Sequence, residues 1–539
     1  MPLILLGGPK RDGFGVQVLG LVRTYSPFVT TPLLVAVGGM GLYLAYGETM
    51  RRKTIRGRRR RHQEKAKEAA EEQDEEAGEA EVDERERFKV YKHAGRYWNP
   101  FPEWREQGIW EWFYWKLHKL VTWNFINPAG LPWDKTVLER TIPLYTPDFA
   151  LLIEASGDKV TEVEEAEMIA LHDLVAPGQE IVEAVALDDP LSASWATMES
   201  TSSTDEPESN PNSDETVVPM LTTIPAVLVQ DSAPVPEIPA VEDRIVYTWL
   251  GQSCVHVQLG SLTVLTDPVF SFSLPSDNSE LPTFMKVDRI RPVPATLESL
   301  GKIDVVLVSH NHYDHLEEAS VLAIGDSAEW FVPMGMKDWF NDLGVFRVTE
   351  MEWWDFAPVR SNTAFEVVAV PAMHWSARTP LDTNTTLWTG FCMMHNNENI
   401  LYHAGDTGYM KDLFPLIKKN YGSPKLALLP IGAYEPRWHL CTQHIDPEDA
   451  VKIALELDAE RAVGVHWGTW ILSDEHYLAP VVELRRNVEK YKMQAGRFIA
   501  GEMGETVVIP WGKQMAEKEH WEYAMREARD GKCLVWERE

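Results

Sequence analysis

The six residues His310-Asn311-His312-Tyr313-Asp314-His315 bring three imidazoles and a carboxylate together within one short loop. In an H-x-H-x-D-H loop the first two imidazoles point one way and the Asp-His pair the other. That arrangement seats two metal ions, roughly 3.5–4 Å apart in two-metal hydrolases. Zinc suits these donors, since imidazole nitrogen and carboxylate oxygen are both good zinc ligands, although iron and manganese accept them too. The bland alternative is a His-rich surface turn that binds nothing. What argues against it lies further along the chain.

Three later positions repeat one pattern, a short apolar or β-branched run and then a potential ligand. Val367 to Val370 leads to His374, Ile400 to Tyr402 leads to Asp406, and Ala462 to Val465 leads to His466. Strand ends hold side chains rigidly, which a two-metal site requires. Chemistry divides the set. His310, His312 and His374 hold one Zn2+, Asp314, His315 and His466 hold the other, and Asp406 bridges both with its two oxygens. Taken singly, each has an ordinary reading: a strand-end His as a core residue, an Asp before Thr-Gly as a turn former.

Around these positions strand-like and helix-like runs alternate from Arg244 onward. Strands are expected at 245–250, 253–258, 262–266, 303–308, 367–370, 399–403, 426–430, 462–465 and 506–509, and helices at 410–420, 447–457 and 478–491. The pattern fits an α/β chain folded as an αβ/βα sandwich with the metal site at one sheet edge.

The stretches TWLGQSCV (Thr248 to Val255), LTDPVF (Leu265 to Phe270), SHNHYDHL (Ser309 to Leu316), PAMHWSART (Pro371 to Thr379) and HAGDTGY (His403 to Tyr409) resemble the metallo-β-lactamase superfamily. IGAYEPRW (Ile431 to Trp438), QHIDPEDA (Gln443 to Ala450) and HWGTWILSDEHYLAP (His466 to Pro480) narrow the resemblance to the phospholipases D that hydrolyse N-acyl-phosphatidylethanolamine. It covers about half the chain, with a weaker echo at Tyr97 to Trp104 and Ile142 to Phe149. The resemblance implies a membrane phospholipid substrate cut at its distal phosphodiester, giving phosphatidic acid and an N-acylethanolamine by attack of a metal-bridging hydroxide on phosphorus. One departure stands out: members of that family usually carry His where this chain has Gln252. A lactonase or a soluble phosphodiesterase on the same fold, and a non-catalytic membrane scaffold, are the competing readings.

Residues outside the seven ligands have assignable roles. His444, in QHIDP, joins Asp314 as a candidate catalytic residue, because an alkoxide leaving group needs a proton or a phosphate contact. Gln443, Arg378 and Arg437 are candidate substrate contacts, and both arginines could instead pair with acids. Asp267, in LTDP, is expected to orient a ligand histidine.

The 539 residues are too many for one compact core of usual size, and composition shifts along them. A formal charge of −31 argues against a nucleic-acid partner. About two-thirds of that excess is local, since Glu154 to Asp243 holds 21 acidic residues against one lysine, Lys159. Four scattered cysteines without a C-x-x-C pair suit a reducing compartment.

The organisation read from composition is an N-terminal segment (1–27), a transmembrane helix (28–47), a basic then charged linker (48–90), a Trp-rich N-terminal part of the catalytic module (91–149), an acidic, largely disordered insertion (150–243), the catalytic domain (244–511) and a C-terminal helix (512–539). The uncharged run 28–47 is long enough to cross a bilayer core, about 30 Å at 20 helical residues. RRKTIRGRRRR after it places the following domain in the cytosol by the positive-inside rule. Lys10, Arg11 and Arg23 against the single acid Asp12 are weakly compatible with a mitochondrial presequence. A single-pass protein of the mitochondrial inner membrane or endoplasmic reticulum follows. The seven tryptophans between Tyr97 and Trp133 either dock on a membrane surface or pack on the catalytic domain. Candidate partners are the lipid substrate, the membrane and a second copy in a homodimer.

Overall fold

A computed structural model describes residues 83–105, 115, 129–132, 134–154, 240–276, 286–379, 381–494, 496–511, 525–528 and 533–536. The expected transmembrane helix at 28–47 and nearly all of the acidic insertion lie outside the described residues. Among those described, no helix is long and apolar enough to cross a membrane.

In chain order, a hairpin of β1 (Tyr91–His93) and β2 (Arg96–Trp98) comes first. It is followed by β3 (Arg244–Gly251), β4 (Cys254–Leu259) and β5 (Leu262–Thr266), a short pair β6 (Ser273–Leu274) and β7 (Val287–Asp288), then β8 (Val305–Leu307), β9 (Glu329–Pro333) and β10 (Val348–Met351). The second half holds β11 (Phe356–Pro358), β12 (Phe365–Val370), β13 (Gly390–His395), β14 (Glu398–His403), β15 (Leu426–Pro430), β16 (Arg461–Val465) and β17 (Phe498–Ala500). The chain closes with β18 (Thr506–Pro510), β19 (Met525–Ala528) and β20 (Cys533–Trp536).

Two sheets result, ordered β10-β9-β8-β5-β4-β3-β18-β20-β19 and β11-β12-β13-β14-β15-β16-β17. Each repeats one plan. Three strands meander antiparallel (β3-β4-β5, β12-β13-β14), then parallel strands follow through helical crossovers (β8-β9-β10, β15-β16-β17). The inner parallel strands are buried throughout, as strands covered on both faces must be: β8, β9, β15 and β16 expose none of their residues. Side-chain alternation divides the layers. Val305, Leu307 and Phe331 face the second sheet within the larger core. Val306, Val308, Trp330 and Val332 face outward and pack with Val321, Ile324 and Phe340 of helices Glu318–Ile324 and Lys337–Asp342. The fold is thus the expected αβ/βα sandwich.

Helix ends follow local chemistry. The Asp446 side chain accepts from Asp449 N–H (2.8 Å) and Pro447 occupies the first turn of helix Pro447–Glu456, while Gly422 at φ 80° ends helix Leu413–Tyr421.

Three boundaries differ from the sequence reading. Phe88 is already in the core, three residues before the expected start of the module. Helix Phe149–Glu154 carries Leu151 and Leu152 into full burial, so the catalytic fold continues past 149 into the stretch assigned to the insertion. The C-terminal helix expected over 512–539 is corrected by β19 and β20. β20 pairs in parallel with β18, an edge partner that only the tertiary fold provides.

Candidate metal centre

Every metal-ligand candidate follows the end of a strand. The loop His310–His315 follows β8 and Asp267 follows β5, both in the first sheet; His374, Asp406 and His466 follow β12, β14 and β16 in the second. The His loop closes as a tight turn, with His315 and Leu316 N–H both donating to the His312 carbonyl (3.1 and 2.9 Å). Gly405 (φ +58°) has no room for a side chain, since a Cβ there would meet Ser309 Cβ at 2.5 Å. This close approach brings Asp406 against the His loop.

The donors gather in two groups. His310 Nε2 lies 2.7 Å from His312 Nδ1, which lies 3.2 Å from His374 Nε2. In the second group His315 Nε2 lies 3.3 Å from His466 Nε2, and each is 3.5 Å from Asp314 Oδ2. Asp406 joins the groups. Its oxygens are 3.1 Å from both His315 Nε2 and His466 Nε2, and 3.9 and 3.7 Å from His310 Nε2 and His374 Nε2.

The outer hydrogen bonds decide which ring nitrogens carry lone pairs. The Gln443 carbonyl can only accept, so His374 donates through Nδ1 (2.9 Å) and turns an unprotonated Nε2 inward. The Asp267 carboxylate does the same for His315 Nδ1 (2.8 Å). Asp267 also accepts from Ser309 N–H (2.7 Å), Ser309 Oγ (2.8 Å) and His403 Nε2 (3.0 Å), and Ser309 Oγ lies 2.9 Å from His310 Nδ1. Inward lone pairs on buried imidazoles, plus two inward carboxylates, repel one another unless a cation or protons lie between them. This donor set fits divalent metal ions.

The electrostatics agree. Burial, reinforced by neighbouring imidazoles, holds His310 and His374 well below the ordinary histidine range, and burial brings His312 and His444 to about 4. Burial also opposes charge on His466 and His315, but the Asp406 and Asp314 carboxylates outweigh it. His466 rises to about 9 and His315 well above its ordinary value. Despite burial, the facing histidines hold Asp314 and Asp406 ionised far below the usual carboxylate range and lower Asp267 to about 2. The second group is therefore built for positive charge.

The other predicted residues divide. His444 faces the cluster, its Nδ1 3.8 Å from Asp406 Oδ2 and its ring 5.1 Å from that of His374. Gln443 contributes through its backbone carbonyl, which residue type does not encode. Arg378 is a clamp on the His loop. It donates to the carbonyls of Asn311 (3.1 Å) and Leu316 (2.9 Å) and lies 4.3 Å over the Tyr313 ring. Arg437 is paired with Asp446 (3.0 Å) and Asp449 (2.9 Å) and donates to the His444 carbonyl (2.9 Å). Both guanidinium groups thus have internal partners, the acid pairing that the sequence left open for Arg437 and backbone carbonyls for Arg378.

Sequence reasoning missed Ser309, His403 and Asn99, whose amide donates to the His374 carbonyl (2.7 Å). His403 sits at the end of a strand three residues before Asp406, the one signal that could have marked it.

A β-lactamase superfamily domain model matches residues 263–467, a span that holds all seven donors and leaves out β3 and β4. The chain is 34% identical over 407 residues to the mitochondrial N-acyl-phosphatidylethanolamine-hydrolysing phospholipase D of Saccharomyces cerevisiae, covering 75% of this chain and 73% of that one. It is also 34% identical to N-acyl-phosphatidylethanolamine-hydrolysing phospholipase D 1 of Caenorhabditis elegans, over 49% of this chain and 76% of that one. The chain belongs to this phospholipase D family of the metallo-β-lactamase superfamily. It is accordingly a hydrolase of that fold. Among solved structures, the metallo hydrolase Igni18 of Ignicoccus hospitalis aligns with 50% of this chain and 100% of its own at 22% identity and a TM-score of 0.38.

Proposed function

We propose that the chain is a membrane-anchored, binuclear zinc phospholipase D that hydrolyses N-acyl-phosphatidylethanolamine to N-acylethanolamine and phosphatidic acid. The observation that carries this reading is the pair of donor groups joined by Asp406, in a chain whose relatives are named for that reaction. His310, His312 and His374 would hold one cation, Asp314, His315 and His466 the other, with Asp406 between. Two such ions make hydroxide available near neutral pH and stabilise charge growing on phosphoryl oxygens. Burial keeps His444 neutral at pH 7, so it would serve the phosphoryl or leaving oxygen through a neutral N–H. Asp267 and Ser309 keep His315 and His310 aimed. The apolar run at 28–47 would keep the enzyme at the bilayer that holds its substrate, and the name of the yeast relative favours a mitochondrial membrane.

The test is a product assay with the purified full chain in mixed micelles of N-acyl-phosphatidylethanolamine, beside its metal content and an Asp314→Asn control. Release of N-acylethanolamine by the parent, lost at least about 100-fold in the variant, is expected for removal of a ligand charge. Two bound zinc ions without lipid product would sink the substrate reading and turn attention to lactones and soluble phosphodiesters. A chain that purifies without metal and without activity would point to a scaffold.

A further inference from the structure

The turn between β3 and β4 carries Gln252, a departure from the resembled pattern, and its side chain reaches the centre. Gln252 is 2% exposed, and its carboxamide nitrogen lies 2.7 Å from Asp314 Oδ2 and 2.8 Å from His466 Nε2. Both contacted atoms belong to the second donor group. A turn glutamine normally extends into solvent or bonds to nearby backbone, whereas this one is directed inward onto two side chains 62 and 214 positions away.

Its backbone is built to hold that direction. Gln252 has φ +50°, a region a side chain larger than glycine occupies only when its surroundings impose it. Here they do. Gln252 N–H donates to Thr469 Oγ1 (2.6 Å), and its carbonyl accepts from Trp249 Nε1 (2.8 Å) and from His466 N–H (2.9 Å). The residue is thereby tied directly to the loop that presents His466.

We propose that Gln252 is an eighth member of the metal centre, whose carboxamide oxygen completes the second cation's site. A carboxamide has two faces. Its amino end donates to the Asp314 carboxylate (2.7 Å). Its oxygen end is a neutral ligand, brought inward by rotation about the last side-chain torsion, which is soft. The two cation sites are then unequal, one all imidazole apart from the shared Asp406 and the other including an amide oxygen, a donor that harder cations accept well. This rests on the two-cation reading above.

The test is titration of the metal-stripped full chain with Zn2+ and with Mn2+, followed by calorimetry and by a competing chelator dye, in the parent, Gln252→Ala and Gln252→Glu. The parent should take up two cations in distinguishable steps. Gln252→Ala should weaken one step at least about 10-fold, an effect of the size seen when a group supporting a metal site is removed. It should leave the other within about twofold, and that preserved step also reports that the variant is folded. Gln252→Glu, which keeps the shape and supplies a charged oxygen, should restore or tighten the weakened step. Replacing Zn2+ by Mn2+ should make the parent's advantage over Gln252→Ala larger. Two steps that are unchanged in Gln252→Ala, or a second step that tightens, would overturn the proposal, the latter showing that the amide competes with the cation. If Gln252→Ala does not fold, failure of Gln252→Glu to match the parent's second step would overturn it equally. A parent that binds at most one cation per chain would overturn the two-cation reading, and this proposal with it.

Discussion

At the scale of single residues the centre depends on groups that touch no cation. Asp267 accepts four hydrogen bonds within 3.0 Å, from Ser309 twice, from His315 and from His403, and it is wholly buried. Asp267→Asn keeps the volume but presents an amino group to at least one donor. We expect cation affinity to fall about 10–100-fold, with the fold retained. Competition against a chelator dye, with circular dichroism as the folding control, would check this; an affinity within twofold of the parent would show that His315 needs no such support. The seven donors were legible in the sequence because ligand chemistry restricts residue type and each follows an apolar run. Asp267 was legible for the same reason. The contacts of Gln443 and Arg378 with the centre were not, because one is made by a backbone carbonyl and the other to backbone carbonyls on the His loop. Neither partner leaves a mark in residue type.

At the scale of elements, β4 carries His256 with no exposed surface, across from Thr248 on β3 and Leu265 on β5. Burial lowers its pKa to about 4 from an ordinary value near 6.5. Between those values the unfolded chain binds the proton that the folded strand refuses. The stability this residue supports is therefore whole above pH 6.5 and lost as pH falls toward 4, by about 3 kcal/mol at most. His256→Leu should flatten that part of the profile, measured as urea midpoints across the range, and equal slopes in parent and variant would refute it. The nine strands expected from sequence all form, with ends displaced by at most two residues, because β-branched runs buried on both faces leave a strong pattern. β13 was missed. Its sequence Gly-Phe-Cys-Met-Met-His has no β-branched residue, and only its pairing with β12 and β14 makes it a strand. β19 and β20 were misread as helix for a related reason, since β18, the strand that joins β20 and through it β19 to the sheet, lies outside the local window.

At the scale of the whole molecule, the donors come from both layers of the sandwich: the His loop from one sheet, His374, Asp406 and His466 from the other. Cations held there would tie the sheets together as well as do chemistry. Stripping them with a chelator should lower the melting temperature. The stabilisation lost is about 2.7 kcal/mol per site at a hundredfold excess of ion over Kd, and re-addition of zinc should restore it. A melting temperature indifferent to chelator would mean that the sheets do not rely on the ions. The core is also assembled from two separated stretches of chain. Phe88, Tyr97, Phe101 and Ile142 pack with strands that begin only at Arg244. The Gln258 amide on β4 donates to the Leu152 carbonyl, so the chain leaving at 154 does so beside the sheet to which it returns. The two stretches on either side of 155–239 thus meet through side-chain packing and a hydrogen bond of their own. Fragments ending and beginning within that stretch are therefore expected to find each other and reconstitute the centre when made as separate polypeptides.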